Sequence, residues 1–166
     1  MLASALLALG IISRLIIHLP NFTPVIAVAL FSGCVLKRNQ AFLYPLVLMA
    51  ITDVFLGAHE TILFTYGSIV LIIGMGLLMK NRMNLKNIIV ASLFADILFF
   101  VITNFGVWVA TNIYPHTWDG LVECFIMALP FFQNSLLSTF IYAFLLFGSY
   151  EYLTVRLKGT RFATVL

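Results

Sequence analysis

The chain has 166 residues, of which 63% are hydrophobic, 14% aromatic and only 9% charged. A soluble domain is about 45–50% apolar and about 25% charged. The composition therefore excludes a free soluble protein, a disordered tail, a nucleic-acid module and a disulfide-stapled secreted domain. A transmembrane helix takes about 20 apolar residues, so six use about 120 and leave room only for connections. Residues 1–166 read as one transmembrane domain whose main solvent is membrane lipid.

In chain order, the first apolar segment is Leu2–Leu19, ended by the sharp polar turn Pro20-Asn21-Phe22-Thr23-Pro24. It lacks a signal-peptide layout, because no Lys or Arg precedes it and Arg14 lies inside it. The second segment, Pro24–Leu36, is short for a span and closes at Lys37-Arg38-Asn39-Gln40. Ala41–Gly57 and Thr61–Met79 follow, then a basic loop from Lys80 to Lys86. The fifth segment, Asn87–Asn112, overshoots a bilayer, and the sixth, Gly120–Leu153, is too long for one span. Pro130 removes a backbone donor there and predicts a kink or split. The expected fold is an all-α integral membrane protein, a bundle of six transmembrane helices.

Charge sets the orientation. With the N-terminus in the cytoplasm, the even connections and the C-terminus are cytoplasmic too. They carry Lys37, Arg38, Lys80, Arg82, Lys86, Arg156, Lys158 and Arg161, eight of the nine basic residues. The odd connections carry none, as the positive-inside rule requires. Both termini are thus expected in the cytoplasm, and the location is a bacterial inner membrane crossed several times. The pI near 9.0 reflects anchoring charges facing anionic lipid and does not point to nucleic acid.

Topology assigns depth to the polar residues. Arg14 and Asp53 each lie about five residues below the outer end of segments that run the same way, and so share a depth. A lone charge there is costly, which pairs them. The intramembrane pair is either a strut that fixes helix packing or a gate or substrate counter-ion. Asp96 is mid-helix with no basic residue at its depth. It is either neutral and hydrogen-bonded by hydroxyls such as Ser92, or in contact with water or a cation.

The outer side gathers the remaining polar chemistry. Arg14, His18 and Asn21 follow i, i+4, i+7 spacing, as do Asn104, Trp108 and Asn112. Tyr66, Gln133 and Asn134 lie deeper and are placed as a floor. Interleaved rings and amides suit a planar, polar small molecule bound from outside. No metal or cofactor site is expected. His59-Glu60 lacks a second His four residues after the first, and no P-loop is present. Cys34 and Cys124 fall in opposite leaflets, beyond disulfide reach. Ser4 with Ala8, and Ala29 with Gly33, have the spacing of small-residue faces that let helices approach closely, within the fold or toward a second membrane protein.

The stretch from Leu19 to Gly33, LPNFTPVIAVALFSG, together with Arg14, resembles an uncharacterised family of small bacterial membrane proteins described as candidate transport proteins. Further matching pieces are Pro45 with Ile51–Gly57, Asn104–Trp108, Tyr114, Thr117 and Ala128–Leu136. That family is similar in size and span count to the substrate-binding S components of energy-coupling-factor transporters. The resemblance implies capture of a vitamin-like micronutrient at the outer ends of helices one, four, five and six. It also implies that small-residue faces on the early helices dock a coupling subunit and that partner ATPases supply the energy. A non-enzymatic substrate-binding subunit for uptake is therefore the leading expectation. The alternative is a self-sufficient proton-coupled transporter or channel using Asp96 and the Arg14–Asp53 pair. An intramembrane enzyme is disfavoured, because Ser68, His59 and Asp53 form no catalytic motif.

Overall fold

The run Val25–Val35, VIAVALFSGCV, has no charged residue and no polar stripe. A helix apolar all round is one that its neighbours enclose. The computed structural model describes residues 12–14, 19–57 and 60–157, and among them this segment is the central element, with 10 of its 11 residues buried. The described residues are all-helical. After the helical residues 12–14 come α1 (Val25–Val35), α2 (Arg38–Leu56), α3 (Ile62–Met79), α4 (Leu85–Ala110) and α5 (Trp118–Leu157). α1 packs against all four of the others. Phe31 locks it edge-on to Phe147 and Tyr150 of α5, with ring centroids 5.0 and 5.8 Å apart.

Gly33 of α1 meets Gly76 of α3 backbone to backbone. A Cβ on either would stand 2.9 Å from the other's Cα, and one on Gly33 would be 2.3 Å from the Ile73 carbonyl oxygen. Only glycine fits at this crossing. The small-residue face of Ala29 and Gly33 is thus consumed inside the fold, and both residues are buried. Of the two small-residue faces expected on the early helices, the one at Ala29 and Gly33 is therefore not on the surface. Ser4 and Ala8 lie outside the described residues.

Among the described residues three helices are long and apolar enough to cross a membrane: Ile62–Met79, Leu85–Ala110 and Trp118–Arg156. α1, at 11 residues, rises only about 16 Å, about half the hydrocarbon thickness. Its first turn, Val25 and Ile26, is already buried, while Pro20 and Asn21 in the polar turn before it are exposed.

Caps explain where helix ends differ from the sequence reading. Lys37, with extended backbone, accepts the Ala41 N–H at 2.8 Å, so α2 starts at Arg38 and the basic cluster becomes its exposed first turn. Asn84 accepts the Asn87 N–H through its side chain at 2.8 Å and starts α4 at Leu85. Thr117 does the same for Gly120 at 3.2 Å, which starts α5 at Trp118.

α5 is one helix of 40 residues, with Pro130 inside it. Of the expected kink or split, the split does not occur, since the helix runs on through Pro130. Proline removes a single hydrogen bond, and Pro130 lies on an exposed face of the helix. At the basic end, Lys80 Nζ donates to the Leu36 carbonyl at 2.9 Å, a cation closing the C-terminus of α1.

Candidate functional site

The polar turn before α1 is held in place by α5. Asn21 takes φ 57°, a left-handed conformation that asparagine tolerates. Asn134 Nδ2 donates to the Pro20 carbonyl at 3.1 Å, and the buried Ser138 hydroxyl donates to the Thr23 carbonyl at 2.7 Å. These bonds fix the turn at the mouth of a cavity of about 480 Å³. Val25 and Ile26, the first turn of α1, form part of its wall, and Pro20, Asn21 and Ile113 are exposed at its edge.

The rest of the wall follows helical periodicity. α4 contributes Phe99, Thr103 and Val107, with Asn104 beside them, and α5 contributes Cys124, Ala128, Phe131 and Ser135. Thr61 and Thr65 come from the start of α3, and Tyr114 from the loop before α5. The Thr65 and Thr103 hydroxyls donate to their own helices, to Thr61 and Phe99 carbonyls at 3.2 and 2.8 Å. Their oxygens are thereby left as acceptors. Asn104 spends an amide hydrogen on the Phe100 carbonyl at 2.7 Å, and its backbone carbonyl accepts from Cys124 Sγ at 3.4 Å.

Arg14 also lines the cavity. Its Nη2 donates to Asp53 Oδ1 at 2.9 Å, while Nη1 reaches Thr52 Oγ1 and Met49 Sδ. Asp53 Oδ2 accepts from the Tyr66 hydroxyl at 2.8 Å. Both carboxylate oxygens are satisfied and both charges are nearly buried, 13% and 9% exposed. The guanidinium reaches the cavity wall as one half of a neutral pair.

Of the residues expected to bind substrate, the structure brings Arg14, Asn21 and Asn104 together in this cavity. Tyr66 is not part of its wall and bonds instead to Asp53. Trp108 turns away, donating Nε1 to the Pro115 carbonyl at 3.0 Å and stacking edge-on with His116 at 5.7 Å. It fastens the loop that presents Tyr114. Asn134 clamps the turn from outside the wall, whereas Asn112 and Gln133 are exposed. Gln133 is two residues from Phe131 and so lies on the opposite face of α5. His18 lies outside the described residues.

Sequence reasoning passed over Thr65, Thr103, Phe99, Phe131 and Ser135. The i, i+4, i+8 run Phe99–Thr103–Val107 was the available signal. Among the described residues no cluster of three or more His, Cys, Asp or Glu gathers to hold a metal, and both cysteines are free and buried.

The class these features define is an all-helical apolar bundle with one half-polar cavity sunk into one end. Within that class, the chain belongs to a family of unknown function, DUF6580, whose model matches residues 1–161. No curated protein and no solved structure matches it.

Proposed function

We propose that the protein is a substrate-capture subunit of the bacterial inner membrane, crossing it six times with both termini in the cytoplasm. It holds a small, vitamin-like molecule on the outer side, and partner subunits supply the ATP hydrolysis for uptake. The observation that carries this reading is the cavity of about 480 Å³, a size suited to small-molecule ligands. It lies at the bundle end opposite Lys37, Arg38 and Lys80, and the positive-inside rule puts that basic end in the cytoplasm.

The wall suggests the ligand's chemistry. Threonine oxygens left as acceptors favour N–H or O–H groups on the ligand. The first turn of α1 has no side-chain cap and, with Arg14, favours an electron-rich oxygen or nitrogen at the inner end. Phe99 and Phe131 supply faces for a flat ring.

The test is purification in mild detergent without added ligand, followed by native mass spectrometry. A single small mass, released on denaturation and lost from Ala128→Phe, which fills the cavity, supports capture. An empty protein, or a mass retained in a folded Ala128→Phe variant, sinks it.

A second reading, proton-coupled transport without an ATPase, draws on the 2.6 Å bond between Asp96 and the cavity residue Ser135. Reconstituted vesicles would then take up substrate along a pH gradient with no partner present, and Asp96→Asn would abolish that uptake.

A further inference from the structure

The cavity wall has no charge to spare. Arg14 is the one charged side chain among the described residues that line it, and Asp53 Oδ1, 2.9 Å from Arg14 Nη2, already balances it. Asp53 has no oxygen left for a ligand, because Tyr66 donates to Oδ2 at 2.8 Å. Asp96 is not part of the wall and reaches it only through Ser135, whose hydroxyl donates to Asp96 Oδ1. The first turn of α1, uncapped by any side chain, adds N–H dipoles without a net charge. An ion that leaves water for this cavity therefore finds no free counter-charge of either sign.

What remains unspent is a mixture of donors and acceptors. Arg14 gives its Nη1 hydrogens to Thr52 and Met49 and one Nη2 hydrogen to Asp53, which leaves Nε–H and the second Nη2 hydrogen. Thr65, Thr103 and Ser135 have each given their hydroxyl hydrogen to the protein and present oxygens that only accept. Asn104 has given one amide hydrogen to the Phe100 carbonyl and keeps the other, together with Oδ1.

We infer that the cavity selects an uncharged planar ring carrying an amide-type group, with N–H and C=O side by side, and rejects the corresponding carboxylate or ammonium ion. A neutral amide both donates and accepts, so its oxygen can meet Arg14 and its N–H the hydroxyl oxygens. A carboxylate only accepts, and sets its lone pairs against those of Thr65, Thr103 and Ser135. An ammonium only donates, and brings a second positive charge to the side of Arg14. With either ion the added charge goes unbalanced. The Arg14–Asp53 pair is thus the specificity determinant: it leaves donors in the wall while cancelling the charge that would recruit an anion.

This class of ligand rests on the capture reading and narrows it. The full chain in detergent is melted with nicotinamide, with nicotinate and with the matching aminomethylpyridine, whose amine is protonated at neutral pH. The three probes share a ring and differ in one group. The expected result is a saturable rise in Tm with nicotinamide, half-saturating about tenfold or more below either ion and absent in Ala128→Phe. In Asp53→Asn, which keeps the shape but uncovers the Arg14 charge, the preference turns by about tenfold or more toward nicotinate. Equal or tighter binding of either ion by the native protein overturns the inference. So does an unchanged preference in folded Asp53→Asn, and so does the absence of a rise with any probe. If Asp53→Asn does not fold, the order of the three probes on the native protein decides. A small mass that co-purifies while the ions bind as well as nicotinamide sinks the charge rule alone. An empty protein that binds none of the probes sinks capture with it.

Discussion

The two buried carboxylates of this protein have opposite surroundings. Asp53 is closed: one oxygen takes the Arg14 guanidinium and the other the Tyr66 hydroxyl. Asp96, 1% exposed, has no ion pair among the described residues and accepts from the neutral Ser135 hydroxyl at 2.6 Å. In a low-dielectric interior a group fully paired by the protein serves the fold, because any change leaves a partner stranded. A carboxyl held by neutral hydroxyls can gain or lose a proton without stranding a charged partner. Both clusters touch the cavity, Arg14 from one side and Ser135 from the other.

The contrast is broken most strongly at Asp53. Asp53→Ala strands the Arg14 charge and is expected to cost about 3–5 kcal/mol, read as the loss of Tm in detergent. Arg14→Ala in the same chain recovers much of it, since the double variant has no unpaired charge. A loss in Asp53→Ala below about 1 kcal/mol, in the range of an exposed ion pair, would show that the cluster is not closed.

Tyr66→Phe removes one donor from a carboxylate that keeps its cation, with an expected cost of about 1–2 kcal/mol by the same melt. No loss at all would place water at Asp53 Oδ2. At Asp96 the effect is smaller. Ser135→Ala removes the neutral hydroxyl that Asp96 Oδ1 accepts at 2.6 Å and is expected to cost about 1 kcal/mol by the same melt. A cost above about 3 kcal/mol would put Asp96 on a par with Asp53 and erase the difference between the two carboxylates.

Much of the fold was legible because lipid-like composition and short polar breaks mark helices plainly. Arg14 and Asp53 were matched from depth alone, since helix rise converts residue number into height. Depth does not give azimuth, and that is where the candidate site was misread. Trp108 and Gln133 are at the right level but turned to the loop or outward. Asn134 reaches the Pro20 carbonyl rather than the cavity, a contact between residues distant in sequence that no local pattern reveals.

What the sequence by itself determined is the all-helical, apolar character of the chain, the segments that become helices and the pairing of two charges at one level. Each follows from residue chemistry and helix geometry, which are local. The tertiary structure alone decided that α1 is the enclosed centre, because that depends on Gly33 and Gly76 letting two backbones touch. It also decided that a cavity opens beside the first turn of α1, and that Ser135 meets Asp96 across two helices. Those outcomes depend on the rotation of each helix about its axis, which is set by packing between residues far apart in the chain.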